Sequence, residues 1–96
     1  MGEQRVVIVG AGVGGLAAAI DLARAGRAVT VVERGDAPGG KMRRVPVAGL
    51  GVDAGPTVFT MRWVFDGLLD NAGTGLEDHV ELHAPERLAR HGWEDG

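Results

Sequence analysis

Arg5-Val6-Val7-Ile8-Val9-Gly10-Ala11-Gly12-Val13-Gly14-Gly15-Leu16 is the stretch that decides the fold. Arg5–Val9 is a short β-branched run that stops at Gly10, the pattern of a strand buried on both faces. Gly10–Gly15 reads as a glycine-rich turn. Beyond it Leu16, Ala19, Ile20 and Ala23 recur at i, i+3, i+4 and i+7, which predicts a helix over Gly15–Ala25. Gly26 stands where a C′ glycine belongs. Ala28–Val32 is a second buried-type strand, closed by Glu33. Strand, helix and strand within about 30 residues make a βαβ unit, so the two strands are expected side by side and parallel.

The turn spells G-x-G-x-x-G over Gly10-Ala11-Gly12-Val13-Gly14-Gly15. Gly10 suits the tight exit from the strand, Gly12 lets a phosphate approach the backbone, and Gly15 lets helix and strand pack closely. Amide N–H groups at the helix start then face a pyrophosphate, assisted by the helix dipole. The motif alone is weak in a chain with 17 glycines among 96 residues. Its setting strengthens it: a strand before, a helix after, and Glu33 eighteen residues past Gly15. A carboxylate at that point accepts the ribose hydroxyls of an adenosine and repels a 2′-phosphate, which disfavours NADP. The fold class read here is α/β, a partial Rossmann-type domain. It consists of the βαβ unit, further strands and one amphipathic helix.

Farther out, Arg34–Lys41 is a turn segment with Pro38 and the Gly39-Gly40 pair. On physics alone it is equally a ligand loop or an ordinary turn. Met42–Val47 and Leu50–Ala54 read as two strands about Gly49, with Pro46 weakening the first. Met61, Val64, Phe65, Leu68, Leu69 and Ala72 keep helical spacing, capped by Thr60 or Thr57 and ended by Gly73. This periodicity puts Met61 in the core and leaves Trp63 off the main stripe. Val80–Leu82 and Ala89–Trp93 are candidate short strands.

The loop Glu33–Lys41, ending Gly-Gly-Lys, resembles the FAD-binding start of the amine oxidase and phytoene desaturase superfamily. Asp53-Ala54-Gly55-Pro56-Thr57 resembles a second FAD-proximal segment of the bacterial carotenoid desaturases. Val58–Phe65, with Leu88–His91 and Trp93–Gly96, is most similar to the branch of 1-hydroxycarotenoid 3,4-desaturases. The resemblance covers residues 5–96, and it implies FAD as cofactor, favoured over NAD. It places Gly10, Ala11, Gly12, Gly14 and Gly15 at the pyrophosphate and Glu33 at the adenosine ribose. Arg34 falls beside the adenine, and Gly40 and Lys41 near the phosphates and ribityl chain. Gly55, Pro56 and Thr57 fall at the isoalloxazine edge.

The implied reaction is desaturation of an acyclic carotenoid, with hydride passing to flavin N5 and a new C=C formed. Phytoene-type desaturation, or another flavoenzyme of the superfamily, is the alternative. A standalone nucleotide-binding regulatory module is the alternative of another class. Residues 1–96 are expected to be the N-terminal part of a longer FAD/NAD(P)-binding domain, with the substrate domain and outer strands elsewhere. An isolated βαβ unit would leave bare sheet edges, and the final Asp95-Gly96 is a pair that two-residue hairpin turns prefer, with no second strand following it. The segment alone is expected to be inactive.

Composition narrows the rest. Hydrophobic residues make up 45%, which argues against wholesale disorder, and a net charge of −3 gives no support to nucleic-acid binding. The absence of Cys removes disulfides and thiolate metal sites and fits a reducing cytoplasm. Val6–Ile20 is cut by glycines and followed by Asp21, so it reads as neither signal peptide nor spanning helix. The apolar carotenoid implies peripheral contact at the inner membrane surface. His79, His83 and His91 read as solvated rather than as metal ligands, and Glu77, Asp78, Glu81 and Glu86 as a wet face. Arg62 and Asp66, four apart, read as a surface ion pair. No catalytic dyad is present.

Overall fold

A computed structural model describes residues 4–56, 58–87, 90, 92 and 94 of the chain. Strand β1 (Arg5–Val9) lies parallel to β2 (Ala28–Val32), in register from Arg5 opposite Ala28 to Val9 opposite Val32. Helix α1 (Val13–Arg24) joins them and packs on both. It ends as Gly26 predicts. Gly26 takes φ +89°, its N–H donates to the Ala23 carbonyl, and the Arg27 N–H donates to that of Leu22. Those two bonds are the Schellman pair.

The helix begins earlier than the apolar stripe suggests. Gly14 and Gly15 stand in its first turn, so the true turn is only Gly10–Gly12. Glycine content hid this boundary, because glycine is a poor helix former and two of them looked like loop.

β3 (Arg44–Val47) and β4 (Leu50–Asp53) form an antiparallel hairpin, slightly shorter than expected. Its two loop residues, Ala48 and Gly49, have φ of 50° and 80°. Two positive values in a two-residue loop match the right-handed twist of the flanking strands. Helix α2 (Arg62–Asn71) packs against α1 and closes with a second Schellman pair, from Gly73 to Asp70 and from Thr74 to Leu69.

Its start corrects the sequence reading. Met61 is the N-cap, in the left-handed region at φ 55°, and no side chain caps the helix. Thr60 lies one residue too early, and Thr57 is outside the described residues. Met61 is therefore not core but 59% exposed. Val80–Leu82 is not a strand; a 3-10 turn over Leu76–Asp78 precedes it instead. Ala89–Trp93 falls largely outside the described residues.

Among the described residues only Ala11 and Leu76 are buried. The strand expected to be buried on both faces is covered on one. Val6 and Ile8 turn toward α1, whereas Val7 and Val9 lie on the other face, Val9 at 86% exposed. No described element covers that second face. The Cα radius of gyration is 17.7 Å, against about 12.5 Å for a compact domain of this length.

Candidate dinucleotide site

β1 delivers the chain to Gly10, where φ is +102°, a conformation that β-carbon sterics deny to other residues. The Gly10 N–H donates to the Val32 carbonyl at 2.7 Å, continuing the parallel ladder into the turn. Gly15 sits where helix and strand meet. A Cβ there would overlap the Gly10 carbonyl oxygen and approach Ile8 Cγ2 at 3.3 Å. This is the close-packing role expected of the third motif glycine.

Gly12 and Gly14 differ from these two. Neither has positive φ, and a Cβ on either meets nothing within 4 Å. The protein's own packing gives no reason for glycine at these positions. The first helical bond runs from the Leu16 N–H to the Gly12 carbonyl. The amides of Val13, Gly14 and Gly15 therefore have no acceptor within the helix and stand at its positive end.

Glu33, one residue beyond β2, reaches back to this turn. Its Oε1 accepts the Ala11 N–H at 2.8 Å and its Oε2 accepts the Gly35 N–H at 2.6 Å. These bonds, that from Ala11 first, hold the Glu33 carboxyl below the ordinary glutamate range, with Arg34 adding a smaller coulombic pull. Arg34 itself is exposed beside Glu33.

The loop after Glu33 packs against the motif turn. The Gly39 N–H donates to the Ala11 carbonyl at 2.7 Å, and a Cβ on Gly40 would stand 3.1 Å from Gly12 Cα. Gly39 and Gly40 both have positive φ. Gly55 packs on the Lys41 carbonyl so closely that any side chain would collide with it. The result is a cleft walled by Gly40, Lys41, Arg43, Ala54, Gly55 and Pro56. It adjoins a larger one of about 730 Å³ that runs from Gly12 past Gly40 and Pro56 to Phe59 and Phe65.

Residues expected at the site from three separate stretches thus converge: the motif turn, Glu33 with Gly40-Lys41, and Gly55-Pro56. Thr57 is outside the described residues. The apolar wall of Val58, Phe59, Val64 and Phe65, with the two rings 4.9 Å apart, lies outside the residues that the sequence nominates for the site. Its only signal was an apolar run after Gly-Pro-Thr. Trp63 is 71% exposed on α2 and does not line the cleft.

His79 and His83 are exposed, and His91 lies outside the described residues. His79 Nε2 lies 3.1 Å from Thr74 Oγ1, and His83 Nε2 lies 3.1 Å from Glu81 Oε1. No cluster with metal-binding potential occurs among the described residues. No helix among them is long and apolar enough to cross a membrane.

A parallel βαβ unit whose glycine turn faces open space, next to a carboxylate and a second glycine loop, defines a dinucleotide-binding domain. The model of the NAD(P)-binding Rossmann-like domain matches residues 8–70, and the chain belongs to that family. It is 60% identical to the hydroxyneurosporene desaturase of Rhodobacter capsulatus over 94 residues, 98% of this chain and 19% of that protein. It is 56% identical to the hydroxyneurosporene desaturase of Rubrivivax gelatinosus, over 94% of this chain and 17% of that protein. A 4,4'-diapolycopene oxygenase of Methylomonas sp is 42% identical, over 98% and 19%. The chain spans about a fifth of the length of these curated relatives.

Proposed function

We propose that this chain is the FAD-binding start of an oxidoreductase that desaturates an acyclic carotenoid, with 3,4-desaturation of a 1-hydroxycarotenoid as the specific reaction. One observation carries the choice of FAD over NAD. The cleft beyond the pyrophosphate turn is built by Gly40, Lys41, Gly55 and Pro56. These lie in the two segments whose sequence resembles flavoenzymes, whereas the βαβ unit by itself serves either cofactor. The likeness to hydroxyneurosporene desaturases over nearly the whole chain supports the substrate class.

In this reading Gly12, Gly14 and the first amides of α1 hold the pyrophosphate. The Glu33 carboxylate accepts from the ribose hydroxyls, and Lys41 offers charge near the phosphates. Bound FAD supplies the two-electron oxidising power. The chain's own contribution is to orient the cofactor and to line one side of its cleft with apolar groups that exclude water. A carotenoid is apolar enough that its delivery from a membrane surface, with the enzyme peripheral to it, belongs to the same proposal.

The test is Gly12→Val in the full-length protein. At φ −77° valine is sterically tolerated, and its Cβ enters space the fold leaves open. The expected outcome is a folded protein without the flavin absorption bands of wild type and without new double bonds in a 1-hydroxycarotenoid. Retained flavin and retained desaturation would place the pyrophosphate elsewhere.

A further inference from the structure

The turn that would receive the pyrophosphate is held by backbone bonds and has almost no side chain of its own to fix it. Gly10 and Gly12 are flexible by composition, and Ala11 contributes a single methyl. Yet Ala11 is 4% exposed, and both of its backbone groups are tied to the loop that follows β2. Its carbonyl accepts from Gly39, and its N–H donates to a side chain twenty-two residues away, that of Glu33. A buried amide left without an acceptor is expensive, so the Ala11 N–H, the one group of the turn satisfied by a side chain, depends on that carboxylate oxygen.

Electrostatics sharpens the point. A carboxylate beside a pyrophosphate turn repels the ligand it serves, and ribose hydroxyls could be met by a neutral acceptor. We propose that Glu33 is a positioning residue for the phosphate turn, holding Gly10–Gly12 in ligand-ready geometry through the Ala11 amide, in addition to any contact with ribose. The inference rests on the dinucleotide reading of the site. Each carboxylate oxygen carries two lone pairs, so one bond to backbone still leaves an acceptor for a ribose hydroxyl.

The two roles predict opposite signs for a ligand that lacks ribose hydroxyls. If Glu33 serves only the ribose, removing its charge leaves binding of such a ligand unchanged or stronger. If Glu33 holds the turn, binding weakens. The experiment compares FAD with an FAD analogue lacking the adenosine 2′- and 3′-hydroxyls, in full-length wild type, Glu33→Gln and Glu33→Ala. Affinity is read by quenching of flavin fluorescence.

We expect Glu33→Ala to weaken the dideoxy analogue by about tenfold, with Glu33→Gln in between because it keeps one acceptor. Hydrogen exchange is measured on the same variants. Exchange should accelerate at residues 10–14 and not in β1 or β2, which separates a loosened turn from a failure to fold. Unchanged or tighter binding of the analogue, with FAD binding lowered to match it, would overturn the proposal and leave the dinucleotide reading intact. Wild type that binds neither compound would overturn that reading as well.

Discussion

The segment up to Pro56 and the segment from Arg62 to Val80 are held together by different means. In the first, backbone groups far apart in sequence meet directly: Gly10 with Val32, Gly39 with Ala11, Gly55 against the Lys41 carbonyl. The Glu33 side chain also ends on a backbone amide twenty-two residues away, and Arg44 adds an exposed ion pair to Asp53 across the hairpin at 3.3 Å. In the second, side chains do the work on the surface. Arg62 bonds Asp66 at 3.1 Å and Glu77 at 2.7 Å, and Asp78 accepts from the Gly75 N–H and from Thr74 Oγ1. Beneath them Leu76 is buried. Backbone-to-backbone approach needs absent side chains, so the first segment is rich in glycines that cannot be exchanged. Surface ion pairs are replaceable, so the second segment should tolerate change.

Gly15→Val should break the comparison most severely. Its side chain would occupy the place of the Gly10 carbonyl, driving α1 off β1. The expected outcome is loss of the cooperative thermal transition, followed by circular dichroism, where Gly12→Val retains it. Leu76→Ala comes next. It removes one of the two apolar side chains buried among the described residues, and a loss of about 2 kcal/mol in denaturant unfolding is expected.

Acid is a milder probe. Glu33 has its folded-state pKa lowered by backbone bonds, so its contribution to stability is full above the ordinary value of 4.5. It is lost as pH falls from there through the folded value. Thermal melts of wild type and Glu33→Gln should therefore differ at neutral pH and converge in acid. Equal separation at both pH values would disconnect the carboxylate from the turn. The smallest effect is expected for Arg62→Met, which deletes both exposed ion pairs of α2. Its melting temperature should stay near that of wild type at moderate salt.

Local patterns in the sequence determined much of this protein. Alternation of apolar runs and glycines specified β1, α1 and β2 in order. Gly26 and Gly73 marked both helix ends, and Glu33 was identified by its place after β2. The Arg62–Asp66 pair followed from helical spacing alone. Each of these depends on residues a few positions apart, where side-chain type and backbone geometry are directly coupled.

Tertiary structure alone decided which distant groups meet. That Gly40 lies against Gly12, Gly55 against Lys41 and Arg62 against Glu77 was not legible, and neither was the Glu33 bond to Ala11. Met61 left the apolar stripe because the chain enters α2 through a left-handed residue, and Val9 stayed exposed because no described element crosses its face. For the contacts that end on backbone the physical reason is general. Backbone N–H and C=O groups are the same in every residue but proline, so a long-range bond between them leaves no residue-type signal until the chain has been folded in three dimensions.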